Sequence, residues 1–455
     1  MITLQILVAL RASLSWVLCS GADGGFSLKK AVLPTRPRVK TRTTCRVCES
    51  SLESIFSLGE HYVSNFLSPG GDDGIKVPLE LVLCRLCRLL QLKHTVPAEL
   101  LYRNYWYRSG TNKTMRDALA DIANTAELLM HLREGDSVLD IGCNDGTLLA
   151  SYKTGGVYKI GFDPAENLAP LSRKQADKIV SDFFGSESFQ SDPDLREHRP
   201  KIVTSIAMFY DLEDPRRFVS DVKSVMHPNG LWVVQMSYLP LMLKQNAFDN
   251  ICHEHLEYYS LQSFEYLLKL HDFQIVDVEL NGVNGGSFRA YIRNLSADET
   301  IFGDATYRSL AAERVRALRE QEIGMGLEDT KTYVEFATWL ERIKADVVSF
   351  IQEQVRRGKT VYVYGASTKG NTLLQYFGLD NSLIAAAADR NPDKWGKMTV
   401  GTHIPIVSEE EARAAKPDYF LVLPWHFVEE FQARERDYLL CGGRLIMPLP
   451  YFSLR

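Results

Sequence analysis

Val138-Leu-Asp-Ile-Gly142-Cys-Asn144-Asp145-Gly146 is the stretch that decides how this chain folds. Four mostly apolar residues run into a turn with two glycines, and a helical pattern follows. Such a run is too short for a helix and reads as a buried strand. The pattern recurs downstream. Tyr158–Phe162, Ile202–Ile206 and 231–235 are short apolar runs separated by helical stretches, as in a parallel sheet with crossover helices. Upstream, Met115, Leu119, Ile122 and Leu128-Leu129 mark a helix over 114–133.

The turn itself carries chemistry. Its glycines let backbone approach a ligand closely, and Asp140, Asn144 and Asp145 can bind polar groups. Gly142 and Gly146 are four apart, so this is not the G-x-G-x-x-G pattern of dinucleotide enzymes. The second strand ends in Gly161-Phe162-Asp163, where a carboxylate can accept hydrogen bonds from both ribose hydroxyls. Asp182 falls near where an adenine would lie. In this order the three segments resemble the S-adenosylmethionine site of class I methyltransferases. A generic nucleotide-binding fold is the alternative.

A second α/β unit closes the chain. Tyr333, Phe336, Leu340, Ile343, Val347, Phe350 and Ile351 recur at helical spacing over 332–357, and their stripe is expected to pack between domains. Then come the strand Val361–Tyr364, the turn Gly365-Ala-Ser-Thr-Lys-Gly370, a helix from Asn371, and a strand over 383–388 ending at Asp389. The G-x-x-x-x-G outline lacks the Lys-Ser/Thr of a P-loop, which argues against ATP hydrolysis. Lys369 and the helix N-terminus could hold a diphosphate, and Asp389 a ribose. A purely structural α/β domain is the alternative.

The 455 residues are 45% hydrophobic and 24% charged, an ordinary globular composition. This length suggests about three domains. A net charge of -5 gives no general attraction to nucleic acid or anionic membranes. No run reaches the ~18 apolar residues of a membrane helix, and a cytoplasmic location is expected. Residues 1–40 fit a secretory signal poorly and resemble a transit peptide weakly; they are read as an upstream extension and set aside. Of eight cysteines, four form two C-x2-C pairs, Cys45/Cys48 and Cys84/Cys87. Two such pairs supply four thiolates to one tetrahedral zinc and leave no open position, so the metal is expected to be structural. Acidic residues balance the arginines around the pairs, which argues against nucleic-acid binding.

Titratable groups are densest in Ile251-Cys252-His253-Glu254-His255-Leu256-Glu257-Tyr258-Tyr259-Ser260. Imidazole moves protons near neutral pH, and a neighbouring carboxylate can orient it. A strand edge of solvated polar residues is the plainer alternative. Asn284-Gly285-Gly286-Ser-Phe288-Arg289 could admit a substrate, with Arg289 pairing a phosphate; a tight hairpin with an exposed Arg is equally compatible. An aromatic linker, Tyr102 to Gly110, precedes the α/β region.

The ordered set of motifs is specific: a cysteine quartet, Tyr105-Trp-Tyr107-Arg-Ser-Gly, Asp140 to Gly146, His253-Glu-His-Leu-Glu-Tyr-Tyr-Ser260, Asn284 to Arg289, then Tyr364-Gly-Ala-Ser-Thr-Lys-Gly-Asn371. From Cys45 onward the chain resembles the nucleotide-sugar C-methyltransferases of deoxysugar pathways. The resemblance implies S-adenosylmethionine, structural zinc, and methylation at C3 of a dTDP-4-keto-6-deoxy sugar. It implies His255 as the base with Glu254 beside it, and an active-site tyrosine at Tyr105 or Tyr107. It also implies that the Gly365 to Asn371 region helps hold the sugar nucleotide. Two positions depart from the family: a usual Tyr is Cys252, and a usual His falls near Met208. Tyr210, Tyr258 or Tyr259 could substitute. The expected parts are an extension (1–40), a zinc-ribbon-like domain (41–100), a class I Rossmann-like methyltransferase domain (101–325) and a C-terminal α/β Rossmann-like domain (326–455), as a monomer or dimer. The rivals are an O- or N-methyltransferase, and a zinc-containing nucleic-acid-binding protein with a degenerate methyltransferase fold.

Overall fold

Strands buried on both faces are largely apolar runs, and this makes them readable without an alternating pattern. All five residues of Ser137–Ile141 are buried at the centre of a seven-stranded sheet. Its strand order is Lys178–Val180, Tyr158–Phe162, Ser137–Ile141, Ile202–Ile206, Leu231–Ser237, Ser287–Asn294, Phe273–Asn281. The first five run parallel, and the last two form an antiparallel hairpin on the edge. Strand order reverses between Ser137–Ile141 and Ile202–Ile206, and a crevice opens at such a reversal beyond the strands' carboxyl ends. This computed structural model describes residues 16–20, 26–30 and 38–455. Trp16–Ser20 pairs antiparallel with Phe26–Lys30 in a unit of its own; of the rest of the expected extension, residues 1–15, 21–25 and 31–37 lie outside the described residues.

The C-terminal sheet repeats the plan: Ile406–Ser408, Ala387–Asp389, Val361–Tyr364, Tyr419–Val422 and Arg444–Met447 run parallel, with Ser453–Leu454 antiparallel on the edge. Its reversal lies between Val361–Tyr364 and Tyr419–Val422. The strand expected over 383–388 is only Ala387–Asp389; Leu383 and Ile384 end a turn folded onto the Asp380 carbonyl.

The zinc-ribbon-like module is a sheet of Leu52–Tyr62, Lys76–Cys84 and Leu90–Leu92, and its fourth strand is Glu257–Tyr258. The expected boundary at residue 100 is therefore not a boundary in space. The strand that completes the zinc module lies far along the chain, directly after the His-Glu-His turn. The long helix Thr330–Arg356 starts at an Asp329 N-cap and buries Tyr333, Phe336, Leu340, Ile343, Val347 and Ile351. These side chains share one apolar core with Leu81 and Leu83 of the zinc sheet and with Val363 and Leu421 of the C-terminal sheet. The stripe packs between domains, as its spacing suggested; Phe350 lies at its partly buried margin.

Leu340 has no exposed surface at the centre of that core. Leu340→Ala is expected to cost about 2–5 kcal/mol, read as a lower urea midpoint. A change within experimental error would show that the helix does not join the two sheets.

Candidate active site

The two cysteine pairs fold into matching turns. The amide after each pair closes the turn, Glu49 N to Cys45 O at 3.1 Å and Arg88 N to Cys84 O at 2.8 Å. Both closing residues are left-handed, with φ of 61° and 60°. The four sulfurs lie within 4.8 Å of one another. A tetrahedral zinc with bonds of about 2.3 Å needs sulfurs about 3.8 Å apart, so the quartet fits the ion. The closest pairs are Cys48–Cys84 at 3.2 Å and Cys45–Cys87 at 3.5 Å. Packed thiols share protons: hydrogen bonds from Cys84 and Cys87 pull Cys45 far down, and Cys87 is pushed up.

This module grips the His-Glu-His segment. Gln91 donates to Cys45 Sγ at 3.2 Å and accepts from the Arg46 amide at 3.1 Å. Arg46 is buried within the first turn and donates to the Leu92 carbonyl at 2.6 Å. Gln91 and Leu90 pair in register with Glu257 and Tyr258. The ring of His253 bonds the Val77 carbonyl at 2.9 Å, which makes it an anchor to the zinc sheet. Burial lowers its pKa to about 4, so it stays neutral.

His255 faces the other way, into a cavity of about 780 Å³. Its Nδ1 lies 2.8 Å from the Asn250 carbonyl. A carbonyl can only accept, so Nδ1 carries the proton and Nε2 the lone pair. Burial and the Lys369 charge both lower its pKa well below the usual histidine value. The orienting partner is thus a backbone carbonyl, not Glu254 as expected. Glu254 lines the same cavity, its carboxyl raised by burial. Tyr102 fixes it by donating to the Glu254 carbonyl at 3.0 Å.

The cavity joins both strand reversals. Asp140, Gly142, Asn144, Asp163 and Asp182 line it on one side, and Gly365, Lys369 and Asp389 on the other. Gly142 has φ +77°, and a Cβ there would sit 2.9 Å from Met208 Cγ. Asp163 is fixed by the amides of Asn144 and Ala165 at 2.7 and 2.8 Å, which leaves lone pairs on each oxygen for ribose hydroxyls. Asp140 is buried against the Thr204 hydroxyl at 2.6 Å, and burial raises it to about 7. An open turn, a braced carboxylate and the aromatic wall of Phe183 and Phe184 fit S-adenosylmethionine.

Several expected ligands have other work. Asp145 and Gly146 do not line the cavity. Asp145 accepts from the Gly110 amide at 2.8 Å and the Thr147 hydroxyl at 2.6 Å, while Gly146 packs against Gln175. With Asn144, which accepts from the Ser109 amide at 3.0 Å, Asp145 straps the aromatic segment over the cofactor turn. Asn167 brackets Tyr105 through its amide and carbonyl at 3.0 and 2.9 Å. Tyr105 and Tyr107 both line the cavity. Arg108 reaches Asp393 at 2.6 Å, and Trp106 reaches Asn65 at 2.9 Å, so the segment is tied to all three modules.

Arg289 is not a phosphate ligand. It is buried in the edge hairpin, bonded to Gln235 at 3.0 Å and paired with Asp121 at 2.9 Å and Glu279 at 3.2 Å. The paired glycines before it admit Trp425 and Leu241 instead of a substrate; a Cβ on Gly285 would sit 3.0 Å from the Trp425 ring. Asn371 is buried behind the wall, both side-chain polar atoms unpartnered. Asp389 is on the wall but already paired with Lys394 at 3.1 Å. Cys252 is fully buried outside the lining, whereas Met208 is part of it. Of the suggested substitutes, Tyr210 lines the cavity, its ring 4.3 Å from that of His255. Tyr258 is used on the His255 carbonyl at 3.1 Å. Sequence reading missed Asn250, Asp211, Asp249 and Arg46. Arg46 lies inside the first cysteine pair, whereas Asp211, Asp249 and Asn250 belong to no motif; the polar pair Asp249-Asn250 just before Ile251 hinted at two of them.

Three domain families match successive parts of the chain: a zinc binding domain over 45–102, a methyltransferase domain over 107–278 and a C-methyltransferase C-terminal domain over 282–450. The C-methyltransferase NovU of Streptomyces niveus is 32% identical over 410 residues, which is 89% of this chain and 95% of NovU. Among solved structures, the plantazolicin methyltransferase BpumL in complex with SAH aligns at 13% identity over 39% of this chain and 84% of its own, with a TM-score of 0.31. The N-methyltransferase NodS of Bradyrhizobium japonicum WM9 aligns at 11% identity over 40% of this chain and 98% of its own, also with a TM-score of 0.31. Among the described residues no helix is long and apolar enough to cross a membrane.

Two outcomes follow from this geometry. Stripping the metal with a chelator, or Cys87→Ser, is expected to raise amide hydrogen exchange in 90–92 and 256–258 together. Unchanged protection at 256–258 would detach the His-Glu-His segment from the zinc module. Arg289→Ala is expected to lower unfolding stability by about 1.5–3 kcal/mol while leaving S-adenosylhomocysteine affinity, measured by calorimetry, as it was.

Proposed function

The chain belongs to the C-methyltransferase family and is S-adenosylmethionine-dependent, and from that premise we propose that it methylates the carbon beside the ketone of a nucleotide-linked 4-keto-6-deoxy sugar. The observation that carries this reading is the His255 tautomer. A neutral imidazole, its proton held by the Asn250 carbonyl, presents a lone pair in a cavity shared by two nucleotide-type crevices.

The chemistry needs such a base. A carbon next to a ketone becomes nucleophilic when its proton leaves and the electrons move onto the carbonyl oxygen. His255 takes that proton at Nε2. When bound, S-adenosylmethionine supplies an electrophilic methyl on a positive sulfur that departs as a neutral thioether. Asp140, Gly142, Asp163 and Asp182 would hold it. The C-terminal crevice, at Gly365 and Asp389, supports the nucleotide of the substrate. The aromatic segment covers the cavity, orients both molecules and excludes water, and in-line placement supplies much of the acceleration. Tyr105, Tyr107 and Tyr210 line the same cavity, the Tyr210 ring 4.3 Å from that of His255. Zinc is structural here and touches no reacting atom.

The test is turnover of a dTDP-4-keto-6-deoxyhexose with S-adenosylmethionine, the product read by mass spectrometry. His255→Asn is expected to lower kcat by about 10²–10⁴-fold; near-wild-type turnover would sink the assignment. The ring's lowered pKa means it is already neutral, and able to accept a proton, below the ordinary histidine value of about 6.5. The acid limb of kcat/KM is therefore expected below that pH. A limb above it would mean that another group is the base.

A further inference from the structure

Lys369 projects from the start of the C-terminal helix Thr368–Phe377, where a diphosphate ligand was expected. Its ammonium instead crosses to the methyltransferase side and donates to Asn250 Oδ1 at 2.7 Å. The backbone carbonyl of the same Asn250 holds His255 Nδ1 at 2.8 Å. One residue therefore tethers both a base and a cation, and both line the cavity.

The surroundings make this cation unusual. Its partner Oδ1 is neutral, so the charge is not cancelled by a salt bridge among the described residues. Three buried carboxyls, Asp211, Asp249 and Glu254, feel its field, and burial raises all three towards the neutral form. Met208 contributes a thioether to the wall, and Cys252 lies outside it. Neither supplies a strong donor for an oxyanion. Lys369 is also the one cation whose charge acts on His255 among the described residues.

Resting on the carbon-methylation reading above, we infer that Lys369 stabilises the enolate oxygen formed when His255 removes the proton. The C–H bond breaks, and its proton goes to His255 Nε2. The electron pair forms the C=C bond, and the carbonyl π pair moves onto oxygen. The Lys369 ammonium donates a hydrogen bond to that oxygen and keeps its own proton. When the carbon forms its bond to the methyl group, the oxygen regains its double bond and Lys369 is unchanged. This makes Lys369 a catalytic residue placed by Asn250, not a diphosphate ligand.

Deuterium uptake from solvent at the carbon beside the ketone isolates the step. A dTDP-4-keto-6-deoxyhexose is incubated in D2O with S-adenosylhomocysteine and wild-type, Lys369→Met, Lys369→Arg or Asp211→Asn protein. Lys369→Met is expected to slow exchange and kcat by about 10²–10³-fold and to change KM by less than about threefold, with Lys369→Arg partly active. S-adenosylhomocysteine affinity by calorimetry confirms that each variant is folded. A large rise in KM with kcat and exchange intact would return Lys369 to diphosphate binding and overturn the inference. Intact exchange in Lys369→Met with loss in Asp211→Asn would overturn it in favour of a protonated Asp211 as the donor. If the wild type methylates the sugar without any exchange, the enolate role of Lys369 falls while the methyltransferase reading stands. If it neither exchanges nor methylates, that reading falls and takes the inference with it.

Discussion

The backbone pairing of Glu257–Tyr258 with Leu90–Leu92 sets where His255 can be. His253 and His255 lie in the turn just before this strand; the ring of His253 bonds the Val77 carbonyl of the zinc sheet, and that of His255 lines the cavity. Arg46, inside the first cysteine turn, ties the turn to Leu92 and lies 3.9 Å from buried Glu257. The cysteine turn thus fixes the strand that directly follows the His255 turn.

A second constraint comes from the two sheets. Each reverses its strand order, and each reversal opens a crevice at the carboxyl ends of its strands. The long helix Thr330–Arg356, packed into the core shared by the zinc and C-terminal sheets, sets how these crevices meet. The aromatic segment closes the gap because Asn144, Asn167, Asn65 and Asp393 each hold part of it. One cavity then joins the crevice of the methyltransferase sheet to that of the C-terminal sheet.

Inside that cavity the electrostatics are set by burial. Carboxyls without strong partners move towards the neutral form, and a histidine beside a cation stays neutral. Asp211 and Glu254 rise, and His255 falls. A neutral base next to an uncompensated ammonium suits the making of an anion on a neighbouring ketone better than it suits binding a dense negative charge.

Local sequence was enough for the parts whose physics is local. Tyr158–Phe162, Ile202–Ile206 and Val361–Tyr364 were readable because strands of a sheet covered on both faces are short, largely apolar runs between helical stretches. The cysteine quartet was readable because two ligands two residues apart fit one ion. Gly142 was readable because its left-handed backbone and close approach to Met208 leave few other residue types. The rest depended on the partner each side chain meets. Arg289 reads the same whether it meets a phosphate or Glu279, and Gly285 whether it admits a ligand or Trp425. Asp145 could serve a cofactor or a strap, and Lys369 a diphosphate or Asn250. Residues 119 apart in the chain decide that last case. Charge and size along a chain state what a group can do, and only the folded arrangement states what it faces.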